Sequence, residues 1–421
     1  MKISALRANP FPPFGEFEIE FPHLEEADDQ ELAEVHVITG KNGSGKTRLL
    51  TLISGSLGSY KELQKRGIGM HLKSFHGIAT DVSLPFPSEW QDMERGELID
   101  RKATPAMTFC PRAFLETAEV SANAEIREPS VDDALSFSRP TDESQRLLQG
   151  IFTMDLQGAT EMKSGKPGRY SKIIKAIEEA VKTVTGLSFT FVSKVHPKPE
   201  LCVSWGTSGK PFEITTLPDG LRSILGWLVQ GAVWMDLFHA ESPDPLNEPV
   251  ILLVDEPETH LHPDWQWRVL PMMQKLFPKA QIFVATHSPF VVSSLNENAW
   301  IHRLTVGDGG KVSIEEPKPV ERGDSYLTAL TEVLGVTGYF DPENQDLLNN
   351  FKILRSAALQ GGSAEEEKLM AKAKEIADRG MELGHIIGAE IRQYEAQKEQ
   401  KEQKEQKEQK EQKVKTKAAK A

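Results

Sequence analysis

The sequence predicts an α/β fold with N-terminal antiparallel strands, a central parallel sheet and a helical C-terminal extension. Three observations carry that prediction. "PVILLVDEP" and "AQIFVATHS" are continuous apolar runs, the pattern of strands buried on both faces of a parallel sheet. "EVHVITG" runs into a glycine turn and then into "KTRLLTLISGSL", whose leucines and isoleucine fall at helical spacing. Between the two apolar runs, "DWQWRVLPMMQKLF" reads as a helix interrupted or kinked at Pro271.

The other elements follow in chain order. Residues 1–21 read as two short strands: "MKISALRA", then, after Pro10, Pro12 and Pro13, the alternating "FGEFEIEF". Residues 61–170 show recurring prolines and glycines and no long periodic segment. "SKIIKAIEEAVKTVTG" is an amphipathic helix with a serine start and a glycine stop. "LSFTFVSKV" is a strand, and "ELCVSWGTSGKPFEITTL" a hairpin around "GTSGK". "GLRSILGWLVQGAVWMDLF" is a strongly apolar helix, and "WIHRLTVGDGGKVSIEE" a hairpin turning at "GDGG". Helices are expected from about Tyr326 to Gln397. The tail repeats "KEQ" five times and reads as a solvated helix or disorder.

Composition narrows the function classes. The chain has 421 residues, 39% hydrophobic and 26% charged, ordinary for a soluble globular protein. No apolar run reaches the roughly 18 residues of a membrane span, and the N-terminus lacks a signal-peptide pattern. Cys110 and Cys202 are far apart and lack metal-ligand spacing, which fits a reducing cytoplasm. A net charge of −13 disfavours non-specific nucleic-acid binding, so such contact is left to a local patch or a partner.

Three motifs carry chemistry. Gly40-Lys41-Asn42-Gly43-Ser44-Gly45-Lys46-Thr47 matches G-x-x-x-x-G-K-[ST] between a strand and a helix. Its glycines let backbone N–H groups approach phosphate oxygens, Lys46 suits the β- and γ-phosphates of ATP, and the Thr47 hydroxyl suits Mg²⁺. "VILLVDEPETHLHP" delivers Asp255 and Glu256 at a strand end, Asp255 for the metal and Glu256 as general base toward water. "IFVATHSPFVV" delivers His287 after another apolar strand, where an imidazole can bond the γ-phosphate and position the water. His260 and His262 lack a third ligand and are not read as a metal site.

These elements together resemble the ATP-binding-cassette (ABC) superfamily, a P-loop NTPase group. The phrase "LLVDEPETHLHPDWQ…VATHSPFVV" is most similar to its soluble AAA-type heads, the SMC and DNA-repair heads, OLD-type ATPases and the ATPases of anti-phage systems. The likeness covers residues 1–60 and about 200–310. It implies an ABC-ATPase domain over 1–320 with an insert at about 61–200, a helical region at 321–397 and a low-complexity tail at 398–421. The family's signature loop corresponds here to Leu217-Pro218-Asp219-Gly220-Leu221-Arg222-Ser223, with Pro218 in place of the serine that contacts ATP bound by a second copy. The resemblance then implies a contact in trans through Gly220 and Ser223. Gln145 and Gln149 are the candidates for the family's Q-loop glutamine.

The stretch from 61 to 200 is too short and proline-rich for an SMC coiled coil, and no D-x-D pair on strands offers an OLD-type nuclease. The C-terminal segment looks like that of Septu PtuA and retron-associated ATPases. This likeness implies a cytoplasmic ATPase, homodimeric or higher, that controls a separately encoded HNH nuclease in antiviral defence without touching a membrane. Indirect nucleic-acid contact would come through that partner. A nucleotide-binding scaffold with negligible hydrolysis and a transporter cassette are the alternatives.

Overall fold

In the computed structural model the described residues are 2–8, 12–15, 17–23, 32–57, 75–79, 83–84, 105–109, 120, 128–137, 141–163, 165, 168–207, 209–296, 298–320, 328–336, 338, 340–360 and 363–398. Cys110 and the "KEQ" repeats beyond residue 398 lie outside them. The chain divides into two compact units, Met1–Gly335 and Val336–Ala421.

The first unit is organised by a seven-stranded sheet. Its parallel strands are β3 (Glu34–Gly40), β6 (Ala106–Phe109), β10 (Val250–Asp255), β11 (Ala280–Ala285) and β12 (Ala299–Val306). They lie in the order β12-β3-β11-β10-β6. β13 (Val312–Ile314) and β14 (Lys318–Pro319) pair antiparallel with β12. The "WIHRL" hairpin is therefore part of the central sheet. The N-terminal strands β1 (Ile3–Ala8) and β2 (Phe17–Glu20) form an antiparallel sheet with β4 (Phe75–Ala79) and β5 (Ser83–Leu84). β7 (Phe189–Lys194), β8 (Glu200–Trp205) and β9 (Phe212–Glu213) make a third, three-stranded antiparallel sheet.

Why the central strands are so largely apolar follows from what covers them. Val35, Val37, Leu252, Val254, Ile282 and Val284 face one hydrophobic core. That core includes α2 (Val131–Ala134), α3 (Thr141–Lys163), α4 (Arg169–Thr185), α5 (Asp219–Phe238) and α6 (Pro263–Leu276). Ile38, Ile251, Leu253 and Phe283 face a second core, shared with α1 (Lys46–Ser56) and with Ile3, Leu6, Ile19 and Phe21 of the N-terminal segment. Alternate side chains point to opposite faces and both faces are buried, so β10 and most of β11 are apolar on both faces, while the buried polar residues Glu34, His36, Gln281 and His302 bond to one another.

Three local expectations are corrected. The stretch 61–170 does hold a long periodic segment, the 23-residue α3. It buries Leu147, Leu148, Ile151 and Phe152. Its glycines are close-contact positions: a Cβ on Gly150 would stand 2.7 Å from Val233, and one on Gly158 3.0 Å from the Ser171 backbone. α4 begins at Arg169, two residues before Ser171. Its first turn is capped from α3, where the Glu161 carboxylate accepts the N–H groups of Ser171 (2.9 Å) and Tyr170 (3.4 Å). α6 runs unbroken through Pro271.

A short helix, α7 (Pro289–Ser293), follows β11. The second unit is helical: α8 (Pro342–Gln360), α9 (Ser363–Ala377) and α10 (381–398) enclose Leu348, Phe351, Leu369, Ile376 and Tyr394.

Candidate nucleotide site

The register of the parallel strands brings three loops to one edge of the sheet. β11 lies between β3 and β10, so the turns after all three strands sit side by side at their carboxyl ends. The glycine turn leaves β3 through Gly40, Gly43 and Gly45, all at positive φ (153°, 81° and 91°). Gly40 also has no room for a side chain, since a Cβ would lie 2.5 Å from the Leu304 carbonyl. Lys46, 8% exposed, donates to the carbonyls of Gly40 (2.9 Å) and Lys41 (3.4 Å). Burial depresses its pKa, and the carboxylates of Glu256, Glu258 and Asp255 oppose that shift. The Ser44 hydroxyl is buried without a partner among the described residues.

At the next loop, Thr47 Oγ1 donates to Asp255 Oδ1 across 3.1 Å, linking the start of α1 to the end of β10. Glu256 follows with φ 50°, a left-handed conformation uncommon outside glycine. Its N–H is tied to the Ala285 carbonyl at 2.8 Å, which holds the turn against β11. Its side chain is 41% exposed, and that of His287 is 45% exposed, so water reaches both. His287 Nδ1 stands 3.9 Å from Glu256 Oε1, beyond hydrogen-bond range.

Glu258 organises this corner, and no motif reading pointed to it. It is 8% exposed and accepts the Thr286 hydroxyl (2.8 Å) and the His287 N–H (3.0 Å). The Ser288 N–H in turn donates to Thr286 Oγ1 at 3.0 Å. Gln266 of α6 donates to the Leu261 carbonyl (3.0 Å) and accepts the Ser288 hydroxyl (2.6 Å). The "ETHLHP" loop and the segment after β11 are thus fastened together. His262 has a capping role, its Nδ1 accepting the Asp264 N–H at the start of α6.

The signature-like turn lies against the same loop. Pro218 is the N-cap of α5, and Asp219 forms an ion pair with Arg222 in the first turn. A Cβ on Gly220 would stand 2.6 Å from the His260 carbonyl. Gly220 and Ser223 are both buried, and the Ser223 hydroxyl has no partner among the described residues. Gln149 is buried in α3 and donates to Thr153, and Gln145 is exposed on the same helix.

A Mg²⁺ ion fits this donor set. Octahedral Mg²⁺ holds its ligands at 2.0–2.1 Å, so neighbouring ligands are about 3 Å apart. Thr47 Oγ1 and Asp255 Oδ1, 3.1 Å apart, have that spacing.

Residues 205–293, which span the signature-like turn to His287, match the family described as "AAA domain, putative AbiEii toxin, Type IV TA system". The chain is 26% identical over 199 residues to "Retron Ec83 probable ATPase" of Escherichia coli, covering 44% of this chain and 35% of that protein. It is 29% identical over 178 residues to "Retron Vc95 probable ATPase" of Vibrio cholerae, covering 38% and 33%. It is 30% identical over 105 residues to "Septu protein PtuA" of Bacillus thuringiensis, covering 24% and 26%. The matches thus span 35% or less of each relative's length. Among solved structures, the SmcHead bound to the C-winged helix domain of ScpA superposes with a TM-score of 0.44 at 13% identity, over 77% of this chain and all of that one. The SMC head domain from Thermotoga maritima gives 0.39 at 12%, over 76% and all of that chain.

A parallel sheet carrying a glycine-rich turn and an acidic strand end at one edge gives the chain the architecture of an ATPase-like head. Among such proteins the chain is a distant relative of the retron and Septu proteins. Among the described residues, no helix is long and apolar enough to cross a membrane.

Proposed function

We propose that the chain binds and hydrolyses ATP, and that its nucleotide state controls a separately encoded nuclease of the HNH type in antiviral defence. The observation that carries the ATPase reading is the 3.1 Å link between Thr47 and Asp255, with Glu256 next in sequence and turned by a left-handed backbone. The N–H groups of Gly40–Thr47 and the Lys46 ammonium bind the polyphosphate. Thr47 and Asp255 hold Mg²⁺, which when bound neutralises charge on the phosphate oxygens. Glu256 accepts the proton of the attacking water at a carboxylate oxygen, and His287 orients that water toward the γ-phosphate. Glu258 positions His287 by holding its backbone N–H.

The regulatory half of the proposal rests on the retron and Septu relatives, and includes assembly as a homodimer or higher oligomer. Turnover of Mg-ATP by the purified chain, alone and with the product of the neighbouring gene, tests it. Hydrolysis that responds to that product supports control of a partner. Absent hydrolysis in both conditions refutes the ATPase reading. It would favour a nucleotide-binding scaffold, a reading motivated by Pro218 in the signature-like turn and the burial of Gly220 and Ser223.

A further inference from the structure

We propose that His23, Glu34 and His36 form a site for a first-row divalent metal ion of the zinc class, at the end of β3 opposite the glycine turn. Six residues of strand, about 20 Å, separate Glu34 from Gly40, so the site is distinct from the nucleotide pocket. His23 Nδ1 and His36 Nε2 each lie 2.9 Å from the same oxygen, Glu34 Oε1. The ligand atoms of the three residues lie within 4.8 Å of one another, and no other such trio occurs among the described residues. A tetrahedral ion with bonds of about 2.0–2.1 Å spaces its ligands about 3.3 Å apart, so small shifts of the three side chains admit it. Two imidazoles and one carboxylate suit zinc and its neighbours, whereas Mg²⁺ prefers oxygen.

The surroundings are those a metal-bound histidine needs. The His36 ring is stacked between Phe283 and Trp300, with centroids at 5.1 and 5.4 Å, which fixes its plane. Its other nitrogen, Nδ1, faces His302 Nε2 at 3.1 Å. In the hydrogen-bonded network His36 carries its proton on Nε2, toward Glu34. His302 then donates through Nε2 and leaves its buried Nδ1 bare and without a partner among the described residues. With a metal on His36 Nε2, the ring proton moves to Nδ1 and is donated to His302 Nε2, whose own proton moves to that bare Nδ1. The relay shifts protons within the pair and creates no new buried charge. Glu34 Oε2 stays paired with Lys2 at 3.1 Å, and Gln281, held by both the N–H and the carbonyl of Ile3, donates to Oε1 at 3.2 Å. Glu34 and His36 are buried, while His23 is 18% and Lys2 32% exposed, so an ion enters past His23 and keeps a water on that side.

The test uses the full chain, free of any tag, stripped with chelator and without nucleotide. Zn²⁺ is titrated by calorimetry and Co²⁺ by visible absorption. One equivalent is expected, with Co²⁺ ligand-field bands. His23→Ala, at the exposed rim, is expected to weaken binding at least about tenfold while the protein stays folded and its ATP affinity stays as in the wild type. A variant carrying both His260→Ala and His262→Ala is expected to bind as the wild type does. Absence of stoichiometric binding by the wild type overturns the proposal. So does binding lost in the loop variant and kept in His23→Ala.

Discussion

Glu258 is the residue whose removal tests the geometry of the site most directly. Its carboxylate takes the Thr286 hydroxyl in a buried setting and the His287 N–H in a partly buried one. A hydrogen bond to an ionised acceptor contributes about 1.5–3 kcal/mol, so two give about 3–6 kcal/mol before relaxation. His287 is half-exposed, so water can take over its N–H in part, and a loss of about 2–4 kcal/mol is expected for Glu258→Ala. Glu258→Gln should lose less, about 1 kcal/mol, because the amide oxygen can still accept one of the two donors. The local readout is hydrogen exchange at the His287 amide, which should accelerate at least about tenfold in Glu258→Ala. Freed of its anchor, His287 drifts, and a misplacement near 1 Å lowers turnover by about a hundredfold. ATP affinity should hardly change, because the glycine turn and Lys46 are untouched. Exchange and turnover both within about twofold of wild type in Glu258→Ala would refute the positioning argument.

Lys46→Ala should weaken ATP binding at least about tenfold in calorimetry, since a charge-assisted contact to phosphate is lost. Glu256→Gln keeps the shape beside the metal site and removes the base. Turnover should fall by about 10²–10⁴ while ATP stays bound, and light scattering should show a larger mass with Mg-ATP if two heads close on it. A mass indifferent to ATP counts against the dimer. Gly220→Ala should destabilise the first unit by about 1–3 kcal/mol, because its Cβ would meet the His260 carbonyl at 2.6 Å. A melt unchanged or raised, as helix propensity alone predicts, would show that the loop yields freely.

β10 and β11 were legible because burial on both faces leaves one signal, a nearly unbroken apolar run, and the glycine turn was legible because its chemistry is local. α3 was obscured by Gly150 and Gly158, which read as breakers although they are the contact points where α5 and α4 approach most closely. β6 has four residues and is identified only by its pairing with β10. Glu258 looked like an ordinary acidic loop residue, since its partners Thr286 and His287 come from a strand end 28 residues on. The same holds for His23, Glu34 and His36. Alternation within β3 puts Glu34 and His36 on one face, but only the fold of the N-terminal sheet brings His23 to them.

The burial of Gly220 and Ser223 bears on how nucleotide could join two copies. Gly220 has no side chain because the turn of α5 rests on the His260 carbonyl, and His260 itself sits at φ 65°. Through Gln266 the same loop is tied to the segment carrying Thr286, His287 and Ser288. The signature-like turn, the acidic loop and the segment after β11 are therefore packed and bonded into one corner of the head. Pro218 adds a second constraint. At this N-cap a serine hydroxyl could bond a first-turn N–H of its own helix, whereas proline provides no such cap. In the proposed dimer the contact in trans then falls to the first-turn backbone beside Asp219 and Arg222, and the hydroxyl of Ser223 remains inside its own head. A junction made of backbone and a paired arginine is weaker than one with a dedicated hydroxyl. It would open readily after hydrolysis, the property a head needs if its nucleotide state is to be read by a partner.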